Sequence, residues 1–178
     1  MYSQHFLTRL LILLTTFAGS VFAADRVGDF SLLDQEGYFH QMSWYDNNKA
    51  VALMVHARHD DQVKAQLPAF MKLKSAYEKK GIKLFMINSS GLENREAIKA
   101  DLASMGVSIP VLMDDARVIS SSLGVTQTSE VFVMDPKSFK LLFKGPVGEQ
   151  LTEAFDSIIA NKNIQVSETT EFGSPVLY

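Results

Sequence analysis

The chain contains no cysteine. That absence removes disulfides, thiolate nucleophiles, thiolate metal sites and any electron transfer through paired sulfurs. Proline is scarce, with five among 178 residues, which excludes a collagen-like or proline-rich chain. An excess of positive charge is missing as well. Lys and Arg number 17 against 20 Asp and Glu, so the formal net charge is −3, and no broad electrostatic footprint for nucleic acid is expected. What is present is ordinary for a globular protein of one domain: 47% hydrophobic and 21% charged residues.

The first 23 residues read as an export signal. Arg9 supplies a positive start, residues 10–17 an apolar core, and Val21 and Ala23 the small residues expected before a cleavage site. The apolar run falls short of the ~20 residues of a membrane span, and no second run of that length follows. The expected mature chain is therefore residues 24–178, with no membrane span, located in the periplasm or secreted. Its body is a single domain over 24–160, followed by a tail over 161–178 that carries no firm structural signal.

Along the body, strand-like and helix-like segments alternate. Residues 29–33 and 39–44 flank a turn at 34–37, the pattern of a hairpin. Residues 50–56 (AVALMVH) and 82–87 (IKLFMI) are continuous apolar runs, as in strands buried on both faces. Between them Val63, Leu67, Phe70, Met71 and Tyr77 recur at helical spacing, with Pro68 placed to kink the helix and Gly81 to end it. Asn94 is positioned to cap a helix through Ile98, Leu102 and Met105, and Asp114 or Asp115 to start a short one ending at Gly124. Residues 131–134 and 139–143 form a strand pair around a turn with Pro136, and 154–160 a last helix. The order β–β–β–α–β–α–α–β–β–α predicts an α/β sandwich with helices on both faces of a mixed sheet.

Several stretches resemble the redoxin branch of the thioredoxin-like superfamily, the group of alkyl hydroperoxide reductase and thiol-specific antioxidant domains. They are VGDFSLLDQEGYFHQMS (27–43), VALMVHARHDDQVKAQLPAF (51–70), GIKLFMINSS (81–90), IPVLMDD (109–115) and LGVTQTSEVFVMDPKSFKLLFKGPV (123–147), with the tail SETTEFGSP a weaker match. The resemblance implies a thioredoxin-like three-layer sandwich with an N-terminal hairpin. It also implies a reactive cysteine at the start of the kinked helix. Counted back from Pro68, that position is Asp60, and a second cysteine would fall on Val63. The family's cis-proline position, after Thr128, holds Ser129. A cis peptide there is not expected, since it costs about 2.5–4 kcal/mol without proline.

A carboxylate at a helix start satisfies the same N–H donors and the same positive field that acidify a cysteine there, but it cannot attack a peroxide. Asp60 or Asp61 is accordingly expected as an N-cap. The leading expectation is an exported redoxin-like protein without thiol catalysis. It would bind or help assemble another envelope or secreted protein through His56, His59, Asp60, Asp61, Thr128 and Glu130. A second reading is binding or delivery of Cu or Zn through His56, His59 and Asp60, with His40 as a further nitrogen, since imidazole and carboxylate suit these metals. A third is a redox role in which a partner or cofactor supplies what the chain lacks. The aromatics Tyr38, Trp44 and Tyr45 are read as hairpin packing or as part of a partner surface.

Overall fold

The computed structural model describes residues 26–91, 93–162 and 174–176. The expected export signal over 1–23 lies outside the described residues. Among those described, no helix is long and apolar enough to cross a membrane.

Seven strands and four helices are present among the described residues, with two short 3₁₀ turns. They run β1 (Ser31–Leu33), β2 (Phe39–Gln41), β3 (Ala50–His56), α1 (Asp61–Tyr77), β4 (Ile82–Asn88), α2 (Arg95–Ser104), β5 (Val111–Met113), α3 (Val118–Leu123), β6 (Val131–Met134), β7 (Leu141–Gly145) and α4 (Glu149–Ile159). A five-stranded sheet has the order β5-β4-β3-β6-β7; β3 pairs in parallel with β4 and β4 with β5, while β6 is antiparallel to both β3 and β7. The first two strands form a separate antiparallel hairpin.

The apolar runs at β3 and β4 reflect a sheet covered on both faces, with side chains alternating between two cores. Ala50, Ala52 and Met54 of β3 join Ile82, Leu84 and Met86 of β4 beneath α1, α2 and α4. Their neighbours Val51, Leu53, Val55, Phe85 and Ile87 face α3 and the hairpin side, against Phe30, Met42, Ile119 and Leu123. Helix α1 lays Val63, Leu67, Phe70 and Tyr77 on the first core and leaves Pro68 exposed. After a 3₁₀ turn the chain reverses at Gly81, whose φ of 95° suits a residue without Cβ.

The segment ahead of β3 reaches both margins of the sheet. Arg26 forms an antiparallel bridge with Lys140, and Val27 N donates to Phe139 O at 3.1 Å. Farther along, Asp34 bridges Leu112, Gln35 N donates to Val111 O at 3.1 Å, and Val111 N donates to Gln35 Oε1 at 2.7 Å. The hairpin is also pinned to the sheet face by rings. His40 and Tyr45 approach Phe85 edge-on at 5.1 and 5.2 Å, and His40 is held between Tyr45 Oη at 2.6 Å and Asp34 Oδ2 at 2.9 Å.

Three expectations need correction. Strand β5 was absent from the expected element order, because a three-residue strand offers too little periodicity to register. The short third helix starts at Val118, behind Arg117 in left-handed conformation (φ 58°), and not at Asp114 or Asp115. Asp114 still serves that helix from a distance: its buried carboxylate accepts from Ser120 N and Ser120 Oγ, each at 2.7 Å. The hairpin aromatics divide. Tyr45 packs on Phe85, whereas Tyr38 and Trp44 are exposed.

Because Phe85 is fully buried and carries both hairpin rings, Phe85→Ala is expected to destabilise the fold by about 3–5 kcal/mol. Urea unfolding monitored by circular dichroism measures it; a loss below ~1 kcal/mol would show that the rings do not anchor the hairpin.

Candidate functional site

The parallel strands β3 and β4 end side by side, with His56 in register with Asn88. Beyond them the chain turns into α1 and towards α2, and crevices at the carboxyl ends of such strands are the usual ligand positions of open α/β sheets. A third segment is fixed there by the sheet itself. Pairing of β3 with β6 continues past the start of β6, as Val55 N donates to Glu130 O at 2.8 Å and Ser129 N to Val55 O at 2.9 Å. Residues 126–130 therefore stand next to the turn that leads into α1. The peptide between Thr128 and Ser129 is trans, and Ser129 adopts a φ of 64°.

Asp60 is the N-cap of α1. It has extended backbone angles, and its Oδ1 accepts from Val63 N at 2.9 Å. This is what a helix start requires, since its first N–H groups lack partners within the helix and its end carries about half a positive charge. The other carboxylate oxygen, Oδ2, accepts from Thr128 Oγ1 at 3.1 Å. One side chain thus links two segments separated by 68 residues in sequence. Val63, where the resemblance implies a second cysteine, is buried in the core, and its backbone N is the donor to Asp60 Oδ1.

A polar network underlies this tip. Burial pushes the His56 imidazole down to about 4; the Asp101 carboxylate opposes that shift and the Arg58 charge adds to it. His56 is therefore neutral at pH 7, and its Nδ1 lies 3.2 Å from Asn88 Nδ2, so Nδ1 is the acceptor and the proton belongs on Nε2. Asn88 Nδ2 also donates to Glu93 Oε2 at 2.5 Å, while Glu93 Oε1 accepts from Arg58 N at 3.0 Å. Arg58 Nε donates to Asp101 Oδ2 at 2.7 Å, and that bond holds the Asp101 carboxyl below its usual range. Asn88 comes from the end of β4 and Arg58 from the turn before α1, while Glu93 and Asp101 come from the turn before α2 and from α2 itself, and no spacing in the sequence links them to His56.

The elements enclose a cleft of about 390 Å³. The turn at 57–60 forms one wall, Ser89, Ser90 and Glu93 another, and Thr128 with residues 174–176 the third. Ser89 is buried, and its hydroxyl has no hydrogen-bond partner among the described residues. Arg58 also lines a smaller cavity of about 180 Å³ together with Leu67, Asp101 and Met105.

The expected surface comes together only in part. His56, His59, Asp60 and Thr128 line the one cleft. Asp61 points its carboxylate into solvent, 3.6 Å from Lys64 Nζ. Glu130 is buried, with Oε1 3.6 Å from Lys144 Nζ on β7, and is not among the cleft-lining residues. The metal reading through His56, His59 and Asp60 finds no ligand set: among the described residues no three His, Cys, Asp or Glu side chains gather as one. His56 Nδ1 is taken up by Asn88, both Asp60 oxygens accept hydrogen bonds, and His59, at a φ of 59°, sits on the exposed rim. His40 is committed to Asp34 and Tyr45 in the hairpin.

A family model described as the AhpC/TSA family matches residues 23–140. No curated protein matches the chain. Among solved structures, it is similar to a hypothetical protein, SMc02350, from Sinorhizobium meliloti 1021, at 20% identity and a TM-score of 0.77, covering 88% of this chain and 94% of that one. The peroxidoxin BcpB of Mycobacterium tuberculosis follows the same fold at 19% identity and a TM-score of 0.61, with 76% and 92% covered. So does the thioredoxin domain of a thiol-disulfide oxidoreductase from Bacteroides vulgatus, at 14% identity and a TM-score of 0.63, with 81% and 100% covered. At these identities the structures establish the fold, a thioredoxin-like α/β sandwich with a mixed five-stranded sheet and an N-terminal hairpin.

Asp60→Ala is expected to cost about 1–2 kcal/mol, the usual value of a lost cap, and Asp60→Asn, which keeps an acceptor, less than ~0.5 kcal/mol. Equal losses in urea unfolding would show that the acceptor is not what matters. His56 makes stability depend on pH. Its folded pKa lies below the unfolded value of 6.5, so the unfolded chain binds the proton first as pH falls. Stability should decline by about 3 kcal/mol between pH 6.5 and 4, and unfolding midpoints of His56→Gln should be flatter over that window.

Proposed function

The chain belongs to the AhpC/TSA family and has no cysteine, and on that premise we propose that it is an exported binding or assembly module for another envelope or secreted protein. The cleft at the tip of α1 is its contact face. One observation carries the reading: the position where the family resemblance calls for sulfur holds Asp60, whose carboxylate caps α1 and holds Thr128 across the cleft. The helix tip keeps its negative charge and a defined shape, while sulfur-based electron transfer has no group to run through. The neighbouring His56, Asn88, Glu93 and Arg58 are tied to one another, so the cleft is preorganised for recognition. The unpartnered Ser89 hydroxyl offers a bound group a hydrogen bond that the described residues do not use. Export is supported by the pattern of Arg9, the apolar residues 10–17 and the small residues Val21 and Ala23.

Capture of partners from envelope extracts tests the reading. The intact chain is expected to retain at least one protein that a folded His59→Ala, Asp60→Ala variant loses by about tenfold or more, in line with loss of central contacts at an interface. Equal recovery of every protein by both would remove the cleft as the contact face. Reduction of peroxide or of insulin disulfides by the purified chain alone would overturn the non-thiol reading of Asp60.

A further inference from the structure

Residues 174–176 lie along residues 126–128 as an added antiparallel strand. Thr128 N donates to Ser174 O at 2.9 Å, Val176 N donates to Thr126 O at 3.0 Å, and Pro175 bridges Gln127. Proline fits the middle position because, in antiparallel pairing, alternate residues direct their N–H groups away from the partner strand. Ser174 N donates to Thr128 Oγ1 at 3.1 Å, the same hydroxyl that donates to Asp60 Oδ2. The chain's end is thereby coupled to the degenerate active-site position through one oxygen atom. These residues also form a wall of the cleft, yet Pro175 is exposed and Ser174 and Val176 are only half-buried. A segment with few bonds and little burial opens at low cost.

We propose that residues 174–176 are an autoinhibitory plug, a self-ligand that covers the backbone edge at 126–128 and the pair formed by Asp60 and Thr128. A partner takes this face by displacing the plug. The proposal rests on the reading of the cleft as a contact face and adds its regulation. A site that is free only part of the time binds with an affinity reduced by the free fraction, so removing the plug tightens binding without altering any contact to the partner.

Amide hydrogen exchange, which needs no partner, tests the plug. Thr128 N reports on it directly, because its acceptor is Ser174 O, and Ser129 N, held on Val55 O within the sheet, is the internal reference. In the full chain the Thr128 amide is expected to exchange about tenfold faster than that of Ser129 or more, as local opening allows. In a chain ending at Gly173 it should speed up by about another tenfold while Ser129 is unchanged, and a synthetic peptide of residues 172–178 added in trans should slow it again. Val176→Pro in the full chain, which deletes one donor without shortening anything, should give the same direction of change and decides the matter if the shortened chain does not fold. Unchanged Thr128 exchange in Val176→Pro, equal acceleration at Ser129, or no effect of the peptide would each overturn the plug. Capture then separates the two ideas. More partner on the shortened chain supports inhibition. Equal amounts on both chains overturn it while leaving the contact face standing, and loss of that face itself is read from the His59→Ala, Asp60→Ala comparison.

Discussion

The arrangement around the cleft depends on a single carboxylate with two acceptor roles. Asp60 answers the unpaired N–H groups at the start of α1 with one oxygen and the Thr128 hydroxyl with the other. A helix end with a positive partial charge needs an anion or a dipole near it, and a carboxylate meets that need permanently. A thiolate in the same position meets it only until it reacts. A carboxylate at this helix start therefore gives a fixed geometry and no thiol reactivity. The field that would otherwise acidify a sulfur is spent here on holding two segments together.

That fixed geometry extends inward. His56 is buried and neutral, and its ring faces an amide that is itself engaged by Glu93. His56, Asn88, Glu93, Arg58 and Asp101 are linked to one another, while the buried hydroxyls of Ser89 and Ser129 have no hydrogen-bond partner among the described residues. Buried polar networks of this kind specify one arrangement when they are satisfied, because any alternative leaves a charge or a donor without a partner. The half-buried ion pair between Arg58 and Asp101 fixes the side chain that lines both cavities.

Much of the fold was legible because burial on two faces leaves unmistakable runs. Strand β3 over Ala50–His56 was readable to the residue, β4 nearly so, the cap Asn94 was readable from side-chain chemistry alone, and the cap of α1 was narrowed to Asp60 or Asp61. Strand β5 was not, since three residues cannot show a period, and α3 begins behind an arginine in a conformation that composition does not favour. The site was half legible. Family spacing from Pro68 led to Asp60, but the closeness of His56, His59 and Asp60 in sequence suggested a metal ligand set, and among the described residues no three such side chains gather as one. The partners of His56 and the seat of residues 174–176 depend on contacts across more than thirty residues, which no local pattern encodes.

The stretch ahead of β3 touches the sheet at both flanks, at Lys140 beside β7 and at Val111 and Leu112 in β5. A sheet with open flanks presents rows of unsatisfied backbone groups to any neighbouring molecule, which is how strands of separate molecules come to stack. Here one short ribbon of chain shields the two sides together. Loss of that ribbon would bare both at once and leave the sheet open to strand pairing from either side.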